Sequence, residues 1–370
     1  MHLYIHAPFC VRRCSYCDFS IAIRKRLPVQ QYVDCIRREW ELSGGLPPGP
    51  RPGDTIYFGG GTPSLLPPEA IATILLDVAR STSSLDAVEV TLEANPDDVT
   101  PEKASAWRNA GVNRISLGAQ SFDDRVLQWM HRTHDAARIG AAVKALTAVG
   151  IKNISLDLIF ALPAELERDW ARDLDRAIAL APAHLSLYGL TVEARTPLAR
   201  WISRGAASAP DDDRYADEYL LAHARLAAAG YHFYEVSNAA RHGQRSQHNS
   251  AYWSGRPYRG LGPAAHSFDG RTRRWNLPSW EAYRRAIAAG RSPVESEELL
   301  TSAQRRIEDI YLSLRTDGGL EMPTSPSAHL PIWLSAGWVT VHDGRVVCTP
   351  EGWLRLDALV RDLTGAPETA

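Results

Sequence analysis

Three cysteines fall within eight residues of one another in the run CVRRCSYC: Cys10, Cys14 and Cys17, a C-x3-C-x2-C spacing. Thiolates are soft ligands, and one loop presenting three of them suits three irons of a cubane cluster, with the fourth iron left to an exchangeable ligand. Zinc favours paired C-x2-C motifs and a fourth Cys or His ligand. The nearest histidines, His2 and His6, lie on the stretch before the loop, so a Cys3His zinc site is a competing reading. Three unligated thiols is the bland one. Cys35 and Cys348, in a helical stretch and on a C-terminal strand, read as small buried hydrophobes. Five cysteines so unevenly spread do not make a secreted disulfide framework.

Such a loop needs a frame. Short β-branched or aromatic runs at 2–6, 55–58, 88–93, 114–119, 153–158 and 184–189 alternate with helically spaced segments at 30–42, 68–79, 101–110, 135–149 and 166–180. That alternation predicts a parallel sheet of βα units, too short for a closed eight-stranded barrel, with the chemistry at the C-terminal strand ends. The run Gly59-Gly60-Gly61-Thr62-Pro63 directly follows the second strand, where glycines let a backbone approach closely. Residues 195–215 read as a boundary loop, 212–229 as a helix ending at Gly230, and the aromatic- and histidine-rich 231–276 as irregular. Beyond 295, helices, a helix near 328–336, a hairpin turning at Asp343-Gly344 and a closing helix at 350–363 predict a winged-helix-like α+β module. The expected division is 1–200, a linking segment 201–294, and 295–370.

Together, the cysteine loop, Tyr16 just before its last cysteine, and GGGTP after the second strand resemble the radical S-adenosylmethionine (SAM) superfamily. YIHAPFC, GGGTPSLL, EANPDD, GVNRISLGAQSF and LDLIFALP resemble, more narrowly, the oxygen-independent coproporphyrinogen III oxidase-like group. The resemblance implies a partial (β/α)6 barrel holding a [4Fe-4S] cluster on Cys10, Cys14 and Cys17, with SAM on the unique iron. It places Tyr4 and Tyr16 against SAM near the cluster. Gly60, Gly61 and Thr62 would hold the methionine part, Glu93 would lie in the same site, and Gln120, Arg132 and Asp157 would supply the remaining SAM contacts. SAM offers an ammonium, a carboxylate and ribose hydroxyls, which call for acceptors, a cation and acid or amide groups. Ala161 in LDLIFALP stands where the group usually has Gly.

Two branches of that group share the core. The oxidases resemble C-x3-C-x2-C-x-C, and here the fourth cysteine position is Phe19. The heme chaperone branch has CDF after the cluster and a downstream HNxxYW motif; this chain has HNSAYW at 248–253. In that branch His248 becomes the expected heme-iron ligand, with Tyr252 and Trp253 beside it. GLGPAAHSF at 260–268 and RRWN at 273–276 also resemble the chaperone branch, and His266 is a second ligand candidate. The resemblance therefore implies a heme chaperone that binds the cluster, SAM and heme and passes heme to an acceptor protein. The alternative is a coproporphyrinogen III dehydrogenase working through a 5'-deoxyadenosyl radical. A formal charge of -2 gives no global basic field, so nucleic acid is not an expected partner. No apolar run approaches the length of a membrane span and no signal sequence opens the chain, so a cytoplasmic location is expected, with room for transient contact at a membrane surface.

Overall fold

A computed structural model describes residues 1–43, 53–79, 88–322 and 328–365. Its centre is six parallel strands in chain order: β1 (His2–Ala7), β2 (Thr55–Gly60), β3 (Glu89–Ala94), β4 (Arg114–Gln120), β5 (Asn153–Phe160) and β6 (His184–Gly189). All are the strands expected from the sequence, shifted by a residue or two at their ends. Helices α1 (Val29–Leu42), α2 (Pro68–Ala79), α3 (Pro101–Ala110), α5 (Ala136–Ala148) and α6 (Trp170–Ala179) form the crossovers; along each strand apolar residues such as Leu3, Ile5, Val90 and Leu92 alternate with polar ones such as His2, His6, Glu89 and Thr91, and most of both sets are buried. Caps set the helix ends. Thr100 Oγ1 accepts from the Lys103 N–H at 3.2 Å, and Gly111, at φ 106°, ends α3 in the left-handed region. The helix expected from 166 begins only at Trp170, because Asp169 caps it and a 3-10 turn at Ala164–Leu166 precedes it. Two short helices, α4 (Asp124–Trp129) and α7 (Pro197–Ser203), were not legible; six or seven residues carry too little periodicity.

The stretch 231–276, expected to be irregular, is instead regular. It holds β7 (His232–Glu235), β8 (Asn238–Ala240), α9 (Gln247–Trp253), β9 (Arg259–Leu261), β10 (His266–Phe268) and β11 (Thr272–Asn276). Strand β9 pairs in parallel with β1, while β8 pairs antiparallel with β6 and β7 with β8. The nine-stranded sheet, ordered β9-β1-β2-β3-β4-β5-β6-β8-β7, stays open at both edges. Strands of three to five residues are too short to show alternation, and their pairing partners are remote in sequence. β10 and β11 form a second, antiparallel sheet with β12 (Val294–Leu299).

Helix α8 (Asp212–Ala228) matches its expected span and α10 (Trp280–Ala288) follows β11. The C-terminal module has α11 (Ser302–Arg315), β13 (Leu320–Glu321), α12 (Leu330–Ser335), β14 (Val339–His342) and β15 (Arg345–Cys348), the strands ordered β13-β15-β14. The hairpin turns where expected, with Asp343 and Gly344 at φ 50° and 73°, the signature of a two-residue primed turn. The closing helix breaks into α13 (Pro350–Trp353) and α14 (Leu356–Thr364). Winged-helix-like is thus an accurate description, and Cys35 and Cys348 are buried as expected.

Candidate functional site

Under the C-terminal ends of β1 to β6 lies a cleft of about 390 Å³. Cys10, Cys14 and Cys17 line it, on the loop that leaves β1. The loop is pinned from several sides. Ala22 N–H donates to the Pro8 carbonyl at 2.7 Å, and Arg24 N–H to that of Cys10 at 3.0 Å. Ser15 N–H donates to Met130, at the end of α4, and Leu198 N–H of α7 donates back to Ser15. The two helices that the sequence did not disclose therefore hold the cysteine loop in place.

Cys10 Sγ lies 3.4 Å from Thr62 Oγ1, and an Arg132 guanidinium nitrogen lies 3.6 Å from Cys14 Sγ. Burial pushes the Cys10 thiol up to about 11, opposed by the Thr62 contact and reinforced by Cys17 and Cys14; burial also raises Cys17. Among the described residues no group of three or more His, Cys, Asp or Glu side chains converges on a single ion. Three thiols spread along one loop suit separate irons of a cluster, and loading it must release their protons.

The glycine run explains itself sterically. A Cβ at Gly61 would stand 2.8 Å from backbone atoms of Pro8 and Phe9, and one at Gly60, already at φ 115°, 2.7 Å from the His6 ring. Only glycine lets β2 close against the cysteine loop. Beside it, Glu93 accepts from the Gly60 N–H at 3.0 Å and from the Tyr57 hydroxyl at 2.9 Å. Burial raises its carboxyl to about 7, with the Tyr57 hydrogen bond pulling the other way. Asp157 accepts from Ser116 Oγ at 2.9 Å and Ser155 Oγ at 3.1 Å, and burial raises it too. Arg132 donates to Asn95 Oδ1 at 2.5 Å and to the Gly118 carbonyl at 2.9 Å, yet its buried Nε has no hydrogen-bond partner among the described residues. Gln120 lines the cleft from a left-handed backbone at φ 65°. Tyr16 lines it too, and burial holds its hydroxyl well above its ordinary value.

The structure thus gathers Cys10, Cys14, Cys17, Tyr16, Gly60, Gly61, Thr62, Glu93, Gln120, Arg132 and Asp157 around one cavity. Tyr4 stands apart, behind Gly59, with its ring 6.0 Å from that of Tyr57 and its hydroxyl donating to His6 Nδ1 at 3.1 Å. The residues that orient the acidic and basic groups, Tyr57, Asn95 and Ser116, escaped sequence reading. Asn95 lay in plain view in EANPDD; Tyr57 and Ser116 carry no signal beyond their places on strands. A glycine cradle, a buried carboxylate, and a cation with an unmet donor match SAM's amino acid portion, and the thiols match a cluster.

His248 is placed differently. It is 1 % exposed on α9. Its Nδ1 lies 2.7 Å from Thr55 Oγ1, its Nε2 2.8 Å from the Tyr252 hydroxyl, and its ring stacks on Tyr57 at 4.9 Å. Burial lowers it to about 3, so it is neutral. Iron ligation by His248 would have to break one of those two hydrogen bonds. Glu89 of β3 accepts the Gln247 and His248 backbone N–H groups at 2.9 and 3.0 Å, fastening the start of α9 to the sheet. GLGP and RRWN are clamped by another missed residue: Glu39 of α1 accepts from Gly262 N–H at 2.7 Å and Asn276 Nδ2 at 2.5 Å. Ala161 sits at φ 56°, held by its N–H donating to Glu218 at 2.7 Å, which explains why a glycine suits that position.

Parallel strands whose C-terminal ends frame a three-cysteine loop and a glycine cradle define a radical SAM protein, and the model of the Radical SAM superfamily matches residues 4–177. The heme chaperone HemW of Mycobacterium tuberculosis is 40% identical over 371 residues, covering 98% of this chain and 94% of that protein. That of Bacillus subtilis is 34% identical, covering 86% and 84%. The chain belongs to the HemW heme chaperone family. The bovine mitochondrial protein called radical S-adenosyl methionine domain-containing protein 1 is 36% identical, covering 86% and 74%. In fold, the chain is similar to the Escherichia coli coproporphyrinogen III oxidase HemN, with a TM-score of 0.79 at 21% identity over 98% of this chain and 89% of that one. No helix among the described residues is long and apolar enough to cross a membrane.

Proposed function

We propose that this protein carries a [4Fe-4S] cluster on Cys10, Cys14 and Cys17, binds SAM beside it, and binds heme for delivery to an acceptor protein. The observation that carries the reading is the near full-length match to proteins named heme chaperones, 40% identical across 98% of the chain. The likeness to the oxidase is one of fold, and Phe19 occupies the position where that branch resembles a fourth cysteine.

When bound, the cluster supplies electron-transfer and Lewis-acid chemistry at SAM. This chain's own residues do the holding. Glu93 receives the SAM ammonium, the unmet Nε of Arg132 donates to its carboxylate, and Gln120 and Asp157 receive its hydroxyls. Tyr16 and Thr62 line the cleft beside the cysteine loop. Residues 1–200 would hold the cofactors, 201–294 the HNSAYW segment, and 295–370 a module available to a partner.

Anaerobic reconstitution of the full chain with iron and sulfide tests the reading. Stoichiometric heme binding, with no consumption of coproporphyrinogen III in the presence of SAM and reductant, is the expected result. Conversion of coproporphyrinogen III to the vinyl product would overturn it in favour of the dehydrogenase.

A further inference from the structure

Glu93 stands on the wall between two spaces. One is the cysteine cleft; the other is an aromatic groove of about 580 Å³, which shares Phe19, Gly60 and Glu93 with it. Tyr252 reaches the groove from α9, the helix that carries HNSAYW, and its ring meets that of Tyr258 edge to face at 4.6 Å.

Tyr57 of β2 joins the two. Its hydroxyl donates to Glu93 Oε1 at 2.9 Å, and its ring lies 4.9 Å from that of His248 with only 28° between the planes. His248 Nε2 in turn lies 2.8 Å from the Tyr252 hydroxyl. Four side chains therefore run unbroken from the acid in the cleft to a wall of the groove. The Tyr4 ring also lies against that of Tyr57, at 6.0 Å and 26°. A ring so placed cannot swing without giving up its packing on two neighbours, and Glu93 fixes its hydroxyl end. An ammonium arriving at Glu93 favours the carboxylate, which can only accept, and so holds Tyr57 as its donor.

We propose that Tyr57 is a positioning residue that couples SAM binding to heme binding. SAM at Glu93 fixes the ring against which His248 and Tyr252 are set, and heme held at the HNSAYW helix fixes the same ring from the other end. The inference rests on the heme-chaperone reading, in which that helix serves the heme. Whichever ligand arrives first has ordered the relay, so the second binds more tightly. Linkage requires the two gains to be equal.

The test uses the full-length protein reconstituted with iron and sulfide. Calorimetry gives its SAM affinity with and without saturating hemin, and the Soret band gives its hemin affinity with and without saturating SAM. In the wild type each ligand should tighten the other by about fivefold or more, and by the same factor. Tyr57→Phe keeps the ring and deletes the hydroxyl. It should bind hemin alone as the wild type does, bind SAM alone about fivefold more weakly, and lose the mutual gain. Tyr57→Leu, which has no ring to lie against His248, should lose the gain as well and also weaken hemin binding. A residue that merely braced the fold would lower the denaturation midpoint or both affinities and leave the gain in place. Equal SAM affinities with and without hemin in the wild type, or an undiminished gain in Tyr57→Phe, would overturn the coupling and leave the chaperone reading intact. A wild-type protein that binds no hemin would overturn that reading instead.

Discussion

The cysteine cleft and the aromatic groove share the wall formed by Phe19, Gly60 and Glu93, but their polar groups are treated in opposite ways. In the cleft the charged groups are half-buried and already oriented by a neighbour: Glu93 by Tyr57 and Gly60, Asp157 by Ser116, Arg132 by Asn95. In the groove His266 and Arg256 are exposed, and Phe19 on the shared wall is 57 % exposed. A pre-oriented set suits a cofactor that stays; an exposed set suits a ligand that leaves.

That contrast can be broken most decisively at the cleft. Replacing any of Cys10, Cys14 or Cys17 by Ala should remove the brown absorption and nearly all bound iron after reconstitution; iron content and spectrum check it, and a variant retaining both would remove the cluster assignment. Next comes Glu93→Gln, which deletes a charge partner and should weaken SAM binding by about ten- to a hundredfold. Because the free carboxyl titrates near 7, wild-type SAM affinity should rise as pH climbs through 7 and the variant's should not, as calorimetry at several pH values will show. The same upward shift means that Glu93 contributes most to folding stability below its ordinary value of 4.5, a contribution lost as pH rises through about 7.

His248→Asn sharpens the comparison from the other side. Left without one of its two hydrogen bonds, the buried site should cost about 1–3 kcal/mol in chemical denaturation. The Soret position of bound heme reads the histidine's role directly: a lost or shifted band would assign iron ligation to His248, and an unmoved band would leave it a residue that positions Tyr252. The smallest effect is expected at Ala161→Gly. Relief of the φ 56° backbone should stabilise by roughly 0.5–1 kcal/mol, less the extra chain entropy of glycine, and a loss in denaturation midpoint would contradict the strain.

The sequence by itself determined what depends on near neighbours along the chain. The C-x3-C-x2-C loop needs only its own spacing to present three thiols from one end of a strand. The six long strands declare themselves because apolar residues recur at every second position, as in EVTLEA and RISLGA. The tight hairpin at Asp343-Gly344 is written in two adjacent residues that tolerate positive φ. Tertiary structure alone decided what depends on distant partners. Arg132 is oriented by Asn95 from another strand end, and α9 is fastened by Glu89 from β3. The short strands of 231–276 exist because the sheet offers open edges at β1 and β6, which no local periodicity can announce. Between two histidines of the same chemistry, the fold made one inaccessible and left the other in the open. Burial is a property of the whole packed chain, so a motif can name a histidine and still leave its access to be decided by everything folded around it.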